Sequence, residues 1–288
     1  MWHPDVRMFK CFDAASEKLI GRFYLDLYPR ENKYSHAAMF SITAGMAKNE
    51  GGYEMPEAAL VCNFPKPVGD QPSLMTHGEV KTFFHEFGHL LHSMVTKAEF
   101  AYQSGPEAVV IDFVEAPSQM FENWVWHRDV LKKFAFHFKT NKAIPEKLLD
   151  SMIAARQLSS GVTTQRQLFF ANLDFKYHTE NFAGNSTETA KELHTITGFP
   201  FPEGTHFQSG FGHLFGYDAG YYGYLWSQVF GEDMYTRFAE AGPLNRQLGL
   251  VYRETILERG GSVDGDTLVK DFLGREPNNK AFLRKLGV

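Results

Sequence analysis

The sequence predicts a mainly α, α+β protein: a small N-terminal β-sheet followed by a helical body. Three observations carry this. Residues 6–13 and 18–28 read as paired strands, and 58–64 is a short apolar run. From residue 76 onward the apolar spacing is that of helices. The change of pattern comes just before the pentad His85-Glu86-Phe87-Gly88-His89, whose residues converge only on a helix. The 288 residues are read as a single domain, 1–75 forming the sheet region and 76–288 the helical body.

Composition excludes several classes. The net charge is −5 with no basic patch, which argues against nucleic acid as a partner. No run of 18 apolar residues is present, so no segment is expected to span a membrane. The opening MWHPDVRMFK lacks the charged-then-apolar pattern of a signal peptide. Cys11 and Cys62 form no CxxC pair, pointing to a reducing, cytoplasmic setting and away from thiolate-held metal. The 27 Phe imply heavy burial or an apolar cleft.

The first two strands, VRMFKCFD (6–13) and KLIGRFYLDLY (18–28), flank a DAAS turn and predict a β-hairpin. AALVCNF (58–64) predicts one more strand, expected at the sheet edge and followed by a Pro/Gly loop. Thr76 and Glu79 then form a capping box that opens a helix over about 77–97. Val80, Phe83, Phe84, Phe87, Leu90, Leu91, Met94 and Val95 give it an apolar face. Thr82, His85, His89 and His92 form a polar stripe at steps of 3, 4 and 3, costly to bury without partners. His85 and His89, one turn apart, offer two imidazoles to one zinc ion. Glu86 lies off that axis and suits a general base acting on a metal-bound water. Satisfied core or surface histidines are the competing reading; Glu86 and the cap weigh against it.

Further helices are predicted near 107–130, 145–158, 164–182, 187–196, 218–240, 243–258 and 266–286. In the first of these, Asp112, Glu115, Gln119 and Glu122 repeat the 3, 4, 3 spacing against an apolar background. Two antiparallel helices facing through these stripes place Glu115 beside His85 and His89, a three-ligand set with a fourth position for water. The other acids are then available to accept the second ring N–H of each histidine. A solvated acidic face is the alternative, and Pro117 is expected to kink the helix. Later, Tyr217, Tyr221, Tyr224 and Gln228 recur at steps of 4, 3 and 4 after a Gly-rich stretch. Amide hydrolysis passes through an oxyanion, to which a phenol O–H can donate. His213 can serve similarly or orient a substrate. Amphipathic packing is the alternative for these tyrosines.

Together these segments resemble the thimet oligopeptidase and neurolysin family of zinc oligopeptidases. The residues are HEFGHLLH (85–92), DFVEAPSQMFENW (112–124) and FGHLFGYDAGYYGYLWS (211–227). WHPDV (2–6), IGRFYLDLYPRENKYSHA (20–37), ALVCNF (59–64) and LERGGSVDGDTLVKDFLGREPNNKAFL (257–283) extend the resemblance over nearly the whole chain. It implies a zincin-like catalytic domain that cleaves peptide bonds in short peptides. It also implies one zinc per chain on His85, His89 and Glu115, with Glu86 as base and His213, Tyr217 and Tyr224 as substrate and transition-state residues. Family members are more than twice this length, and the sequence looks like their C-terminal catalytic half. The expectation is an open cleft that admits longer unfolded chains, and a homodimer covering the bare wall. Phe215-Gly216-Tyr217 is one residue shorter than the family loop, which is expected to shift His213 relative to Tyr224. A peptide is expected to lie extended along the strand at 58–64. A zinc peptidyl-dipeptidase, and a zinc-holding peptide-binding module with little turnover, are the competing functions.

Overall fold

The strand alternation of residues 6–28 folds as the hairpin it predicts. In a computed structural model describing residues 1–179 and 181–288, β1 (Arg7–Phe12) and β2 (Leu19–Asp26) pair antiparallel. Asp13 Oδ1 accepts the N–H groups of Ala15 and Ser16 and fixes the turn between them. Next come β3 (Ala38–Thr43), the two-residue pair β4 (Met46–Ala47) and β5 (Tyr53–Glu54), and β6 (Glu57–Val61). The main sheet has the order β1-β2-β6-β3, with β6 parallel to β2 and antiparallel to β3.

This order corrects the expected edge strand. The strand at 57–61 is interior, and β3 holds the edge in its place. An apolar run without alternation is the mark of a strand covered on both faces. Ala58, Ala59 and Leu60 are accordingly buried. Pairing also fixes which backbone groups of β3 are free. Arg22 N–H donates to Pro56 O and Cys62 N–H to Asp26 O, so the even-numbered residues of β6 bond to β2. Its odd-numbered residues are left for β3, where Ala59 and Val61 face Phe40 and Ala38. Met39 and Ser41 therefore turn their backbone N–H and C=O groups outward.

The capping box at Thr76 is formed as read, and α1 runs His77–Met94, three residues shorter than expected. Phe83, Phe87, Leu90 and Met94 pack against the sheet with Ala58, Leu60, Cys62 and Phe64. Leu91 and Val95 turn the other way, into a second core built on helices. α1 is thus the shared wall of two apolar layers.

The predicted helix at 107–130 is broken. A 3₁₀ turn at Pro106–Ala108 and bends lead to α2 (Glu115–Phe121), then a 3₁₀ turn at Trp124–Trp126 and α3 (Arg128–Leu131). Pro117 explains this and does not act as a kink. A proline is tolerated in the first turn of a helix, where its missing N–H has no intrahelical partner, but not in the interior. The helix therefore starts at Glu115, two residues before it.

The rest of the body is helical. It comprises α4 (Glu146–Ala154), α5 (Ser160–His178), α6 (Ser186–His194), α7 (Gly223–Ala241), α8 (Arg246–Thr255), α9 (Gly265–Leu273) and α10 (Lys280–Leu286). The expected end of α5 at 182 runs past residue 180, which lies outside the described residues. The helix expected at 218–240 starts at Gly223, and that expected at 266–286 is two helices. Gly274, at φ +69°, caps α9, and Pro277 prevents continuation. Asp233 of α7 holds the intervening turn, accepting from Arg275 at 2.6 and 2.8 Å.

α2 sits between α1 and α7 with almost no side-chain layer on either side. A Cβ built on Gly88 would stand 2.7 Å from Ser118 Cα, and one on Gly231 2.9 Å from Ala116 O. Gly88→Ala gains about 1 kcal/mol of helix propensity but forces two backbones apart, at a cost of about 1–3 kcal/mol or more. The expected net result is lower stability in urea unfolding, with weaker metal retention because α2 moves off α1. A Gly88→Ala chain as stable as the parent would show that this spacing is not tight.

Candidate metal centre and active site

The close approach of α1 and α2 brings the two polar stripes into contact. His85 Nε2 and His89 Nε2 each lie 3.1 Å from Glu115 Oε2. The ligand atoms of His85, His89 and Glu115 all fall within 4.8 Å of one another, the one such group among the described residues. The donor set fits zinc. Two imidazoles and a carboxylate form a familiar catalytic set, and neighbouring ligands of a tetrahedral zinc stand about 3.3 Å apart.

The stripe's other members settle into support. Glu122 Oε1 is 2.9 Å from His85 Nδ1, the expected partner for the second ring nitrogen, and Lys81 Nζ holds its other oxygen at 3.0 Å. Ser118 O–H donates to Glu115 Oε2 at 2.9 Å. Gln119 Nε2 donates to Tyr224 O at 2.9 Å, tying α2 to the start of α7. Asp112 receives the Tyr222 O–H at 3.2 Å and stays clear of the histidines. His92 is fully buried with neither ring nitrogen partnered, and burial holds its pKa down at about 3. It is a neutral core residue, not a ligand.

Three carboxylates in this region are under a tenth exposed, yet their acidities diverge. Burial opposes the charge of Glu115, but the charge of His89 and the hydrogen bonds of both histidines hold its pKa well below normal. Burial likewise opposes Glu122, and the hydrogen bond from His85 with the charge of Lys81 brings it down to about 2. Glu86 moves the other way. Burial raises its pKa, offset in part by His85, His89 and a backbone hydrogen bond from Met39. His85 resists charging through burial, but Glu115 and Glu122 together lift its pKa well above 6.5.

Across from the ligands stand the aromatic residues of the late segment. Tyr217 O–H donates to Glu115 Oε1 at 2.9 Å. Tyr224 stacks on Tyr217 with ring centroids 5.3 Å apart, and its oxygen lies 3.4 Å from His213 Nε2. Tyr221 is buried behind them, 5.2 Å centroid to centroid from His213. Burial, then the charge of Glu115, raises the pKa of both Tyr224 and Tyr217, so both phenols stay protonated donors. Burial lowers the pKa of His213. The shortened loop does not separate His213 from Tyr224.

The route to this cluster differs from the helical stripe expected. Tyr217 and Tyr221 precede α7, and a turn at 217–221 carries them to the site. Two contributors escaped the sequence reading. One is β3, whose Met39 N–H reaches Glu86; Phe40, Ile42 and Thr43 are strand formers and were the available signal. The other is Asp174 of α5, which holds the turn at 217–221 and has no local signature.

Comparison with known proteins gives the family. The sequence model of Peptidase family M3 matches residues 1–288. The chain is 44% identical to a thimet-like oligopeptidase of Dictyostelium discoideum, covering 100% of this chain and 44% of that protein. Oligopeptidase A of Escherichia coli is 43% identical, with 100% and 43% covered, and saccharolysin of Saccharomyces cerevisiae 41%, with 100% and 42% covered. The chain spans less than half the length of these relatives. Among solved structures, a PZ peptidase A with an inhibitor superposes with a TM-score of 0.60 at 14% identity, over 91% of this chain and 42% of that one. At that identity the match speaks for the fold alone.

The raised pKa of His85 generates a prediction. Without metal the ring is protonated at neutral pH, and a metal ligand must be neutral. Zinc binding should therefore release about one proton per chain and weaken as pH falls below the raised His85 pKa. Calorimetry in buffers of different ionisation enthalpy reads the release. Glu122→Gln should reduce it, because one of the two carboxylates that favour the imidazolium is gone. A binding heat independent of buffer would contradict a charged His85.

Proposed function

The chain belongs to peptidase family M3, and from that premise we propose that it is a zinc metallopeptidase that hydrolyses peptide bonds in oligopeptides. The observation that carries this reading is the convergence of His85, His89 and Glu115 beside a separate, buried Glu86 and beneath two protonated phenols. His85, His89 and Glu115 are the residues that hold zinc. When bound, the ion polarises the scissile carbonyl and acidifies the attacking water.

Glu86 is the general base. It takes the proton from that water and delivers it to the leaving amine. Its raised pKa suits both halves of the task, since a carboxylate of ordinary acidity is a weaker base and a poorer shuttle. Tyr224 O–H is the donor to the oxyanion, giving up a 3.4 Å contact to His213 and its hydrogen bond with the Tyr217 hydroxyl. Tyr217 is already engaged with Glu115, so its first role is to hold the ligand's second oxygen. His213 orients Tyr224 and the substrate.

A peptide substrate lies extended along β3, adding a strand through the outward C=O of Met39 and the outward N–H and C=O of Ser41. That course passes Glu86, which Met39 N–H contacts. Ser41 N–H meets Glu107 Oε1 at 3.3 Å, a contact the peptide replaces. No helix among the described residues is long and apolar enough to cross a membrane. Cys11 and Cys62 as free thiols suit a reducing, cytoplasmic setting.

Two substitutions test the assignment. Glu86→Gln should keep about one zinc per chain and lose turnover of a quenched fluorescent peptide; near-normal turnover would remove Glu86 as base. Tyr224→Phe should lower kcat by about 10²–10³ with KM little changed. A rise in KM at intact kcat would make Tyr224 a substrate-binding residue. His213→Ala should cost less than Tyr224→Phe.

A further inference from the structure

Asp174 lies on α5, outside the ring of residues around the metal ligands, and is 1% exposed. Its oxygens diverge to two amides of a single turn. Oδ1 accepts the N–H of Ala219 at 3.0 Å and Oδ2 that of Tyr221 at 2.9 Å. His178 Nδ1, one helical turn along, lies 2.9 Å from Oδ1 and completes the set. The turn is gripped from its other side as well: a Cβ on Gly220 would stand 2.3 Å from Ile111 Cδ1.

The turn needs such a restraint. Ala219 sits at φ +56°, a left-handed conformation that residues other than glycine hold only when their surroundings impose it. Gly216 before it, at φ +136°, has open space around its Cβ direction and gives no support. Yet Tyr217, at one side of this turn, must keep its hydroxyl on the ligand Glu115, and Tyr224, at the other, must keep its ring stacked on that of Tyr217. Tyr217 does so at 2.9 Å from Glu115 Oε1.

We propose that Asp174 is the positioning residue of the active site's phenol wall: its carboxylate clamps the 217–221 turn and so aims Tyr224 at the reacting carbonyl while keeping Tyr217 on Glu115. The proposal rests on the peptidase reading above. A carboxylate is suited to the place because both its oxygens accept. An amide has one acceptor oxygen, and its nitrogen would face an N–H. His178 fixes the carboxylate's orientation from α5, so that the clamp is referred to a long helix and not to another loop.

The test is Asp174→Asn in the full chain, measured beside Tyr224→Phe and the double variant. Zinc content should be unchanged, because the variant touches no ligand. Loss of aim should lower kcat about ten- to a hundredfold, with a change in KM of less than about threefold. The double variant should be little slower than Tyr224→Phe alone, because the loss in kcat from either change runs through the Tyr224 hydroxyl. Unaltered kcat, loss of zinc in proportion to activity, or effects that multiply would each overturn the proposal. Hydrogen exchange of the 217–221 segment reads the clamp without catalysis. It should speed up in Asp174→Asn, and unchanged protection would refute the clamp. Should the parent chain cleave no peptide while this exchange still accelerates, the clamp would stand and the peptidase reading would fall.

Discussion

The site depends on one contact, the approach of α1 to α2 at Gly88 and Ser118. A glutamate is short, and Glu115 must bring a single oxygen within reach of two imidazoles on a neighbouring helix. That is possible only where no side-chain layer separates the backbones. Gly88 removes the layer on α1, and Pro117 fixes where α2 begins, so that Glu115 occupies its first turn. A carboxylate there is also favoured by the helix dipole. α7 closes the stack from the opposite side, where Gly223 and Gly231 meet the carbonyls of Ile111 and Ala116. Three backbones are thereby layered directly, and each alignment error in one is felt at the ligands.

The same dense packing creates an electrostatic problem. Glu86, Glu115 and Glu122 are all buried, and a buried carboxylate is costly unless paired and hydrogen-bonded. The solution is unequal. Glu115 collects His85, His89, Ser118 and Tyr217; Glu122 collects His85 and Lys81. Both stay ionised. Glu86 has a backbone N–H and the more distant field of the histidines, and its affinity for a proton rises. Environment alone divides three like side chains into fixed charges and a proton carrier, the pattern by which acid and base roles are usually set.

What could be read in the sequence follows from the range of the signal. His85, His89, Glu115 and Glu122 were legible because each pair is related by local helical phase, and a polar stripe on an apolar background needs an inward partner. The phase of Glu115 and Glu122 survives although the long helix does not, since both lie on or beside the short segment that is helical. Tyr217 was found by a spacing that does not apply to it; the turn, not a helix, places it. Strand order was legible only in part. The unbroken apolar run of 58–61 carries the mark of an interior strand, but which strand takes the edge is decided by pairing between distant segments.

The two walls of the site are built with different tolerances. The metal ligands stand on α1 and α2, whose positions are fixed by helix-to-helix packing. The phenols stand on a turn and the first residues of α7, fixed by hydrogen bonds to Asp174 and contact with Ile111. Just upstream the restraint is uneven: Phe211 and Leu214 are buried in a core with Phe169 and Phe170, but the residues between and after them are not. Gly210, Gly212 and Gly216 have nothing near their Cβ directions, and Phe215 is 88% exposed. Backbone that makes few packed contacts opens at low free-energy cost. Gly212, Phe215 and Gly216 therefore have room that the turn at 219–221 lacks. Tyr224, the proposed donor, follows the restrained turn, where preorganisation lowers a barrier, whereas His213 sits between Phe211 and Leu214 on a stretch whose glycines are open.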